Sequence, residues 1–286
     1  MAANLSLTAG SSISELLNWA YQHLSAGESP KTDARFLLAH CLGQSTTYLM
    51  TWPDKIVDED IQSHFQKLVT KRKIGHPVAH LIGTRDFWTL SLEVTPDTLI
   101  PRPETELLVE QALQLPLGQT AKVLDLGTGT GAIALSLAQE KPDWQVTGVD
   151  VIESAVALAK RNGIANQVPD VEFLQSSWFD NLNARTFDLI VSNPPYVESD
   201  SHYLLEGDVR FEPASALTSG KDGLDDIKII IEQSLKHLES GGWLMIEHGY
   251  NQSEDLAKLF AQYQYTHIFH KKDLNDQPRI SAAQKP

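Results

Sequence analysis

Lys122-Val123-Leu124-Asp125-Leu126-Gly127-Thr128-Gly129-Thr130-Gly131 decides the fold class of this chain. A short apolar run holding one acid predicts a buried strand. Three glycines then break the pattern, and an Ala/Leu-rich helix is expected from Ala132 to about Glu140. A glycine loop between strand and helix lets a ligand approach the backbone, and the helix N-terminus favours negative charge. The next strand, Gln145-Val146-Thr147-Gly148-Val149, ends at Asp150, 19 residues past Gly131, where an acid can bind ribose hydroxyls. Gly127, Gly129 and Ala132 also satisfy the loose dinucleotide fingerprint, so the loop alone admits a nicotinamide cofactor or S-adenosylmethionine.

Further along, Phe187-Asp188-Leu189-Ile190-Val191-Ser192 reads as another buried strand and runs into Asn193-Pro194-Pro195-Tyr196. Open α/β sheets place ligands at such carboxyl ends. An amide or aromatic amino nitrogen is a poor nucleophile because its lone pair is delocalised. The Asn193 side-chain oxygen and the Pro194 carbonyl can accept from its two N–H bonds and draw it toward a tetrahedral geometry. Prolines fix this backbone, and Tyr196 offers a flat face to a planar group. The same residues would also serve as an ordinary strand-to-loop turn. A dehydrogenase has no use for this tetrapeptide, and Asp125 beside the glycines suits a cationic ligand; both favour S-adenosylmethionine. Trp178, with Phe179 after the strand Val171–Leu174, is read either as an adenine-stacking side chain or as plain core.

Outside this region the chain divides into a helical front and a sheet-bearing back. Ser12 and Glu15 form a capping box ahead of Ile13, Leu16, Leu17 and Ala20. Further helices are expected from near Thr32 to Cys41 and from about Asp58 to Lys73, making a small bundle with nothing catalytic in it. From Phe87 to Val94 the pattern alternates, with Phe87, Thr89 and Ser91 set against Trp88, Leu90 and Leu92, as in a hairpin. Pro101-Arg102-Pro103 opens a helix from Glu104 to about Leu113, whose Glu104 and Glu106 compensate the helix dipole. The polar loop from Val197 to about Asp222 is long enough to be a substrate-facing lid. A helix, the strand Trp243–Glu247, another helix and two terminal strands follow. The alternation implies a twisted, mostly parallel sheet with an antiparallel final pair.

Composition narrows the setting. Residues 1–85 carry 8 Lys/Arg and 7 Asp/Glu, leaving 15 and 30 of the chain's 23 and 37 to residues 86–286. Such an acidic catalytic half repels a phosphate backbone and suits a partner with a basic surface. The compact basic run Lys71-Arg72-Lys73 is expected to complement a helix dipole. One cysteine, Cys41, makes neither an internal disulfide nor a zinc cluster and fits a reducing cytoplasm as a small buried hydrophobe. No apolar run reaches the roughly 18–20 residues of a membrane span, and Met1–Gly10 lacks the pattern of a secretory signal.

Taken together, the segments resemble the peptide chain release factor glutamine methyltransferases, the HemK/PrmC family. The resemblance runs through Asp33-Ala34-Arg35-Phe36-Leu37-Leu38, Ile82-Gly83 to Phe87, Leu99-Ile100-Pro101-Arg102-Pro103-Glu104-Thr105-Glu106, the glycine loop, Asp150, Trp178, Asn193–Tyr196, Glu212-Pro213 and Gly223-Leu224. The Arg-Pro-Glu-Thr-Glu run is its most specific marker, since Asn-Pro-Pro-Tyr is shared with enzymes that methylate adenine or guanine amino groups. The resemblance implies an α/β fold, a seven-stranded Rossmann-like class I methyltransferase sheet preceded by an all-α bundle. It places a bundle that docks substrate at 1–80, a hairpin-like connector at 81–105 and an S-adenosylmethionine-dependent methyltransferase domain at 106–286.

By the same resemblance, Gly127, Thr128, Gly129, Thr130, Gly131, Asp150, Trp178 and Asn193 hold S-adenosylmethionine, which leaves as S-adenosylhomocysteine. Asn193, Pro194, Pro195 and Tyr196 grip the substrate, with Asn193, Pro194 and Tyr196 catalytic. The implied acceptor is the glutamine amide of the Gly-Gly-Gln motif in class I release factors, modified by a cytoplasmic monomer with no metal, direct nucleic-acid contact or membrane. The alternatives are an amino methyltransferase of nucleic acid bases and a glutamine methyltransferase of a ribosomal protein. Two departures stand out: Asn275-Asp276-Gln277-Pro278 where the family usually has a turn glycine, and His248 where an apolar residue is expected.

Overall fold

The computed structural model describes residues 10–286; Met1–Ala9, which make up most of the segment read for a secretory signal, lie outside them. The described residues form two compact units, one of residues 10–83 with 206–211 and one of residues 84–205 with 212–286. No helix among the described residues is long and apolar enough to cross a membrane.

The first unit is helical: α1 (Ile13–His23), α2 (Pro30–Leu42), α3 (Thr46–Thr51), α4 (Glu59–Lys73) and α5 (Val78–Ile82). Ser12 and Glu15 make both capping-box bonds, Glu15 N–H to Ser12 Oγ at 3.3 Å and Ser12 N–H to Glu15 Oε2 at 2.7 Å. Ile13, Leu16, Leu37, Leu38 and Phe65 are fully buried in its core, where each stabilises by ~2–3 kcal/mol over exposure. Cys41 packs against this core, and burial pushes its thiol up to about 11. The short helices α3 and α5 escaped sequence reading because neither spans enough turns to establish a helical period. Lys71, Arg72 and Lys73 all fall in the last turn of α4, where the dipole reading expects them, and Arg72 has a further role. It donates to Asp33 at 2.7 Å, Asp208 at 2.5 Å and the His76 carbonyl at 3.2 Å, so it clamps the 206–211 segment to α2 and α4.

The second unit opens with a hairpin of β1 (Thr84–Phe87) and β2 (Leu90–Glu93). Trp88 and Thr89 form its two-residue turn, with Trp88 at φ 56°. The turn removes both residues from the alternation, so Phe87 pairs with Leu90 and shares a buried face with Leu90 and Leu92. The expected grouping of Phe87 with Thr89 and Ser91 is thereby overturned.

A seven-stranded sheet follows, in the order β5-β4-β3-β6-β7-β9-β8. Its strands are β3 (Lys122–Leu126), β4 (Gln145–Asp150), β5 (Glu172–Gln175), β6 (Phe187–Ser192), β7 (Leu238–Glu247), β8 (Thr266–Lys272) and β9 (Pro278–Gln284). The first five are parallel, and β9 runs antiparallel to both β7 and β8. Alternate residues enter two apolar layers. Val123, Leu189, Val191 and Met245 join α6 (Glu106–Gln114), α7 (Ala132–Glu140) and α8 (Glu153–Ala165). On the opposite face Leu124, Ile190, Leu244 and Ile246 meet α9 (Asp225–His237) and α10 (Ser253–Gln262). The predicted helix start at Glu104 resolves into a 3-10 turn, Pro103–Thr105, with α6 beginning at Glu106.

Both departures from the family pattern have structural explanations. Asp276 takes the left-handed conformation, φ 61°, that a turn glycine would supply, while Asp273 Oδ1 accepts from the Asn275 and Gln277 amides. His248 is fully buried, its Nδ1 2.8 Å from the Gly249 carbonyl and its Nε2 2.7 Å from the Ser281 hydroxyl. The ring therefore donates through Nδ1 and accepts through Nε2, and burial pushes it down to about 4, leaving a neutral core histidine. Asp276→Gly is expected to leave thermal stability unchanged or raise it by up to ~1 kcal/mol. Asp276→Val should lower it by ~1–2 kcal/mol in the same melts, because a β-branched residue resists that backbone.

Candidate active site

Strand register assembles the site. Leu126 pairs with Val149 and with Ser192, Asp150 with Gln175, and Ser192 with Ile246. Gly127, Asp150, Ser176, Asn193 and Glu247 therefore sit side by side along one carboxyl edge. The chain turns outward from β3 to β4 and β5 and returns at β6, so the crevice between β3 and β6 is the switch point where such sheets bind ligands.

A cavity of about 330 Å³ opens there. The sequence-predicted Gly127, Thr128, Gly129, Thr130, Asp150, Trp178, Asn193 and Pro195 all line it. Gly129 has φ 54°, and a Cβ there would meet no atom closer than 4.0 Å, so its missing side chain leaves room for a ligand at the backbone. Gly131, Pro194 and Tyr196 are not on the lining. A Cβ on Gly131 would press within 3.1–3.2 Å of Leu135, Ala159 and Phe173, so that glycine serves helix-to-sheet packing. Pro194 is buried, and Tyr196 packs on the apolar layer while its hydroxyl donates to Glu247 Oε1 at 3.3 Å.

Asp150 binds the loop that it faces. Its Oδ2 accepts from Gly129 N–H at 2.9 Å and its Oδ1 from Ile152 N–H at 3.0 Å, leaving each oxygen a further lone pair. Burial raises its pKa, and the Ile152, Gly129 and Val151 amides oppose that rise. Trp178 sits in a left-handed conformation, φ 46°, costly for so large a residue and held by its surroundings. Its Nε1 donates to Asp226 Oδ1 at 3.2 Å, Ser219 donates to Asp226 Oδ2 at 2.7 Å, and the indole covers Gly127. Asp226 and Thr105, both on the lining, were missed by sequence reading.

Thr105 fixes the orientation of Asn193. Asn193 Nδ2 donates to Thr105 Oγ1 at 3.1 Å, which leaves Asn193 Oδ1 as an uncommitted acceptor. Nearby, the buried Glu212 carboxylate accepts from Ile100 N–H at 3.0 Å and Arg102 at 2.5 Å, holding the Leu99–Arg102 segment on the cavity wall. The buried Asn162 donates to the Thr130 and Glu93 carbonyls at 2.9 and 3.0 Å, tying the glycine loop to β2.

Asp125 corrects an expectation. Rather than facing the ligand, it is fully buried beneath the loop, its Oδ2 accepting from the Thr128 hydroxyl at 2.6 Å and Ala134 N–H at 3.3 Å. Burial pushes it up to about 7, against the Thr128 hydroxyl and Ala134 amide, with the Asp150 charge adding to the rise. A raised carboxyl favours folding while protonated, so this contribution is present below the ordinary value of ~4 and lost as pH climbs through about 7. Urea midpoints should therefore fall from pH 5 to pH 8, and Asp125→Asn should flatten that fall.

Comparison with known proteins agrees with this architecture. The family "Methyltransferase small domain" matches residues 103–212, and "PrmC N-terminal domain" matches residues 15–83. A release factor glutamine methyltransferase from Shewanella oneidensis is 47% identical over 272 residues, covering 95% of this chain and 95% of its own. The protein of the same description from Escherichia coli is 45% identical over 266 residues, 93% of this chain and 96% of its own. Among solved structures, a methyltransferase from Pyrococcus furiosus has a TM-score of 0.54 at 20% identity, over 78% of this chain and 98% of its own, a likeness of fold. At such identity over nearly the full length, the chain belongs to the release factor glutamine methyltransferase family.

Proposed function

We propose that this enzyme transfers a methyl group from S-adenosylmethionine to the side-chain amide nitrogen of the glutamine in the Gly-Gly-Gln motif of class I release factors, acting in the cytoplasm on translation termination. The observation that carries this reading is Asn193 on the cavity wall with its amide nitrogen committed to Thr105 and its oxygen free. That polarity suits a substrate that presents N–H bonds.

The cavity fits the cofactor. Gly129 leaves backbone room, Asp150 retains acceptor capacity for ribose hydroxyls at the end of β4, and the Trp178 indole offers a face for adenine. When bound, S-adenosylmethionine supplies an electrophilic methyl on a sulfonium.

This chain's residues contribute orientation and electrostatics. Asn193 Oδ1 accepts an amide N–H bond from the cavity wall, which localises the nitrogen lone pair and aims it at the cofactor site; the Pro194 carbonyl, expected to accept the second, belongs to a buried residue off that lining. Pro195 bounds the pocket beside Asn193. Tyr196 anchors the far end of the tetrapeptide rather than lining the cavity. No strong base is required, because a methylated amide nitrogen that still bears its proton is acidic enough to lose it to water. The helical unit is the part of this reading assigned to docking the protein substrate.

Mass spectrometry of a release factor incubated with enzyme and labelled cofactor should find one added methyl on the Gly-Gly-Gln peptide. Duplex DNA and ribosomal protein offered in parallel should stay unlabelled. Asn193→Ala should lower kcat by about 10²-fold or more while calorimetric cofactor affinity changes little. Asp150→Ala should instead weaken cofactor affinity by about 10–100-fold, the loss expected for a charged hydrogen bond.

A further inference from the structure

Glu247 is an expensive residue for a sheet to enclose: it ends the interior strand β7, is 1% exposed and has no direct place on the cavity lining. Its Oε1 accepts from Tyr196, and its Oε2 is enclosed without a hydrogen bond of normal geometry. Burial pushes the carboxyl up to about 7; the Thr105 hydroxyl is the largest opposing influence, followed by Arg279 and Tyr196, while Glu104 adds to the rise. Strand pairing of Ser192 with Ile246 sets Glu247 level with Asn193.

From these contacts we propose that Glu247 is a positioning residue, which acts through Thr105 to set which end of the Asn193 amide meets the substrate and through Tyr196 to fix the other end of the same tetrapeptide. This rests on the amide-methylation reading. A hydroxyl carries one proton. Thr105 Oγ1 already accepts from Asn193 Nδ2 at 3.1 Å, so its own proton points elsewhere, and the enclosed Glu247 Oε2, which no group in the structure bonds, is the acceptor the proposal assigns to it. Donation then runs in one direction, from Asn193 to Thr105 to Glu247. With Thr105 unable to donate back, Asn193 Oδ1 is left for the cavity, where the substrate N–H needs an acceptor. Reversing the chain would turn an N–H of Asn193 toward the N–H of the substrate and abolish the grip.

Glu247→Gln tests this with almost no change of shape. Its amide donates to Thr105, releases the hydroxyl proton toward Asn193 and inverts the chain. Thr105→Val removes the relay, and Thr105→Ser restores a hydroxyl. Glu247→Gln and Thr105→Val should each lose kcat about 10²-fold, with melting temperature and calorimetric affinity for S-adenosylmethionine near wild type. Thr105→Ser should remain within a few-fold, and the double variant Thr105→Val/Glu247→Gln should lose about as much as either single, as members of one unit do. If Glu247→Gln melts early, the Thr105 pair decides, because it leaves the carboxyl in place. Wild-type kcat in Glu247→Gln, or equal losses in Thr105→Ser and Thr105→Val, would overturn the inference while leaving the substrate reading intact. Wild-type protein that binds cofactor yet leaves the Gly-Gly-Gln glutamine unmodified overturns both.

Discussion

Parallel pairing in fixed register is the constraint on which the rest of this molecule depends. Side chains alternate faces along a strand, so a slip of one residue would exchange the two apolar layers and carry every loop out of line. Leu126 against Ser192 brings the glycine loop beside Asn193, and Leu126 against Val149 brings Asp150 level with both. Apolar burial on both faces holds that register, and the polar edge inherits its geometry from the core.

Around this edge the polar groups are tied to one another before any ligand arrives. Asp150 holds the glycine loop, Asp226 holds Trp178, Thr105 holds Asn193, and Glu212 holds the Leu99–Arg102 segment. Each bond fixes a group that would otherwise have to be ordered on binding, so the site is preorganised. Two buried carboxyls, Asp125 and Glu247, sit beneath that layer at an energetic cost. Asp125 secures the loop through Thr128 and the start of α7 through Ala134, a local structural return for burying an acid.

What the sequence revealed follows the range of the interactions. The strand at Lys122–Leu126, its glycines and the strand before Asn193 are legible because apolar runs and turn residues are local signals. Phe87 was set on the wrong face because a two-residue turn interrupts an alternation that looks continuous in sequence. Asp125 has an acid's usual affinity for cations, and only its enclosure reveals that it serves the loop. Partners of the site residues lie far off: Thr105 is 88 residues from Asn193, Asp226 is 48 from Trp178 and Glu247 is 51 from Tyr196. Nothing local announces such pairs. His248 looked anomalous for the same reason, since the hydroxyl that accommodates it belongs to Ser281, 33 residues on.

The reversed strand β9 carries a consequence for biogenesis. It lies between β7 and β8 yet follows both in the chain, so a ribosome releases the two outer neighbours before the piece that separates them. Until then β7 presents an open hydrogen-bonding edge to other nascent segments, the kind of edge that invites mispairing. Arg279, whose charge opposes the rise of the Glu247 pKa, arrives on that same late strand. Closure of the β7 edge thus waits for the β8–β9 hairpin, although the rim that carries Gly127, Asp150 and Asn193 is set by strands made earlier.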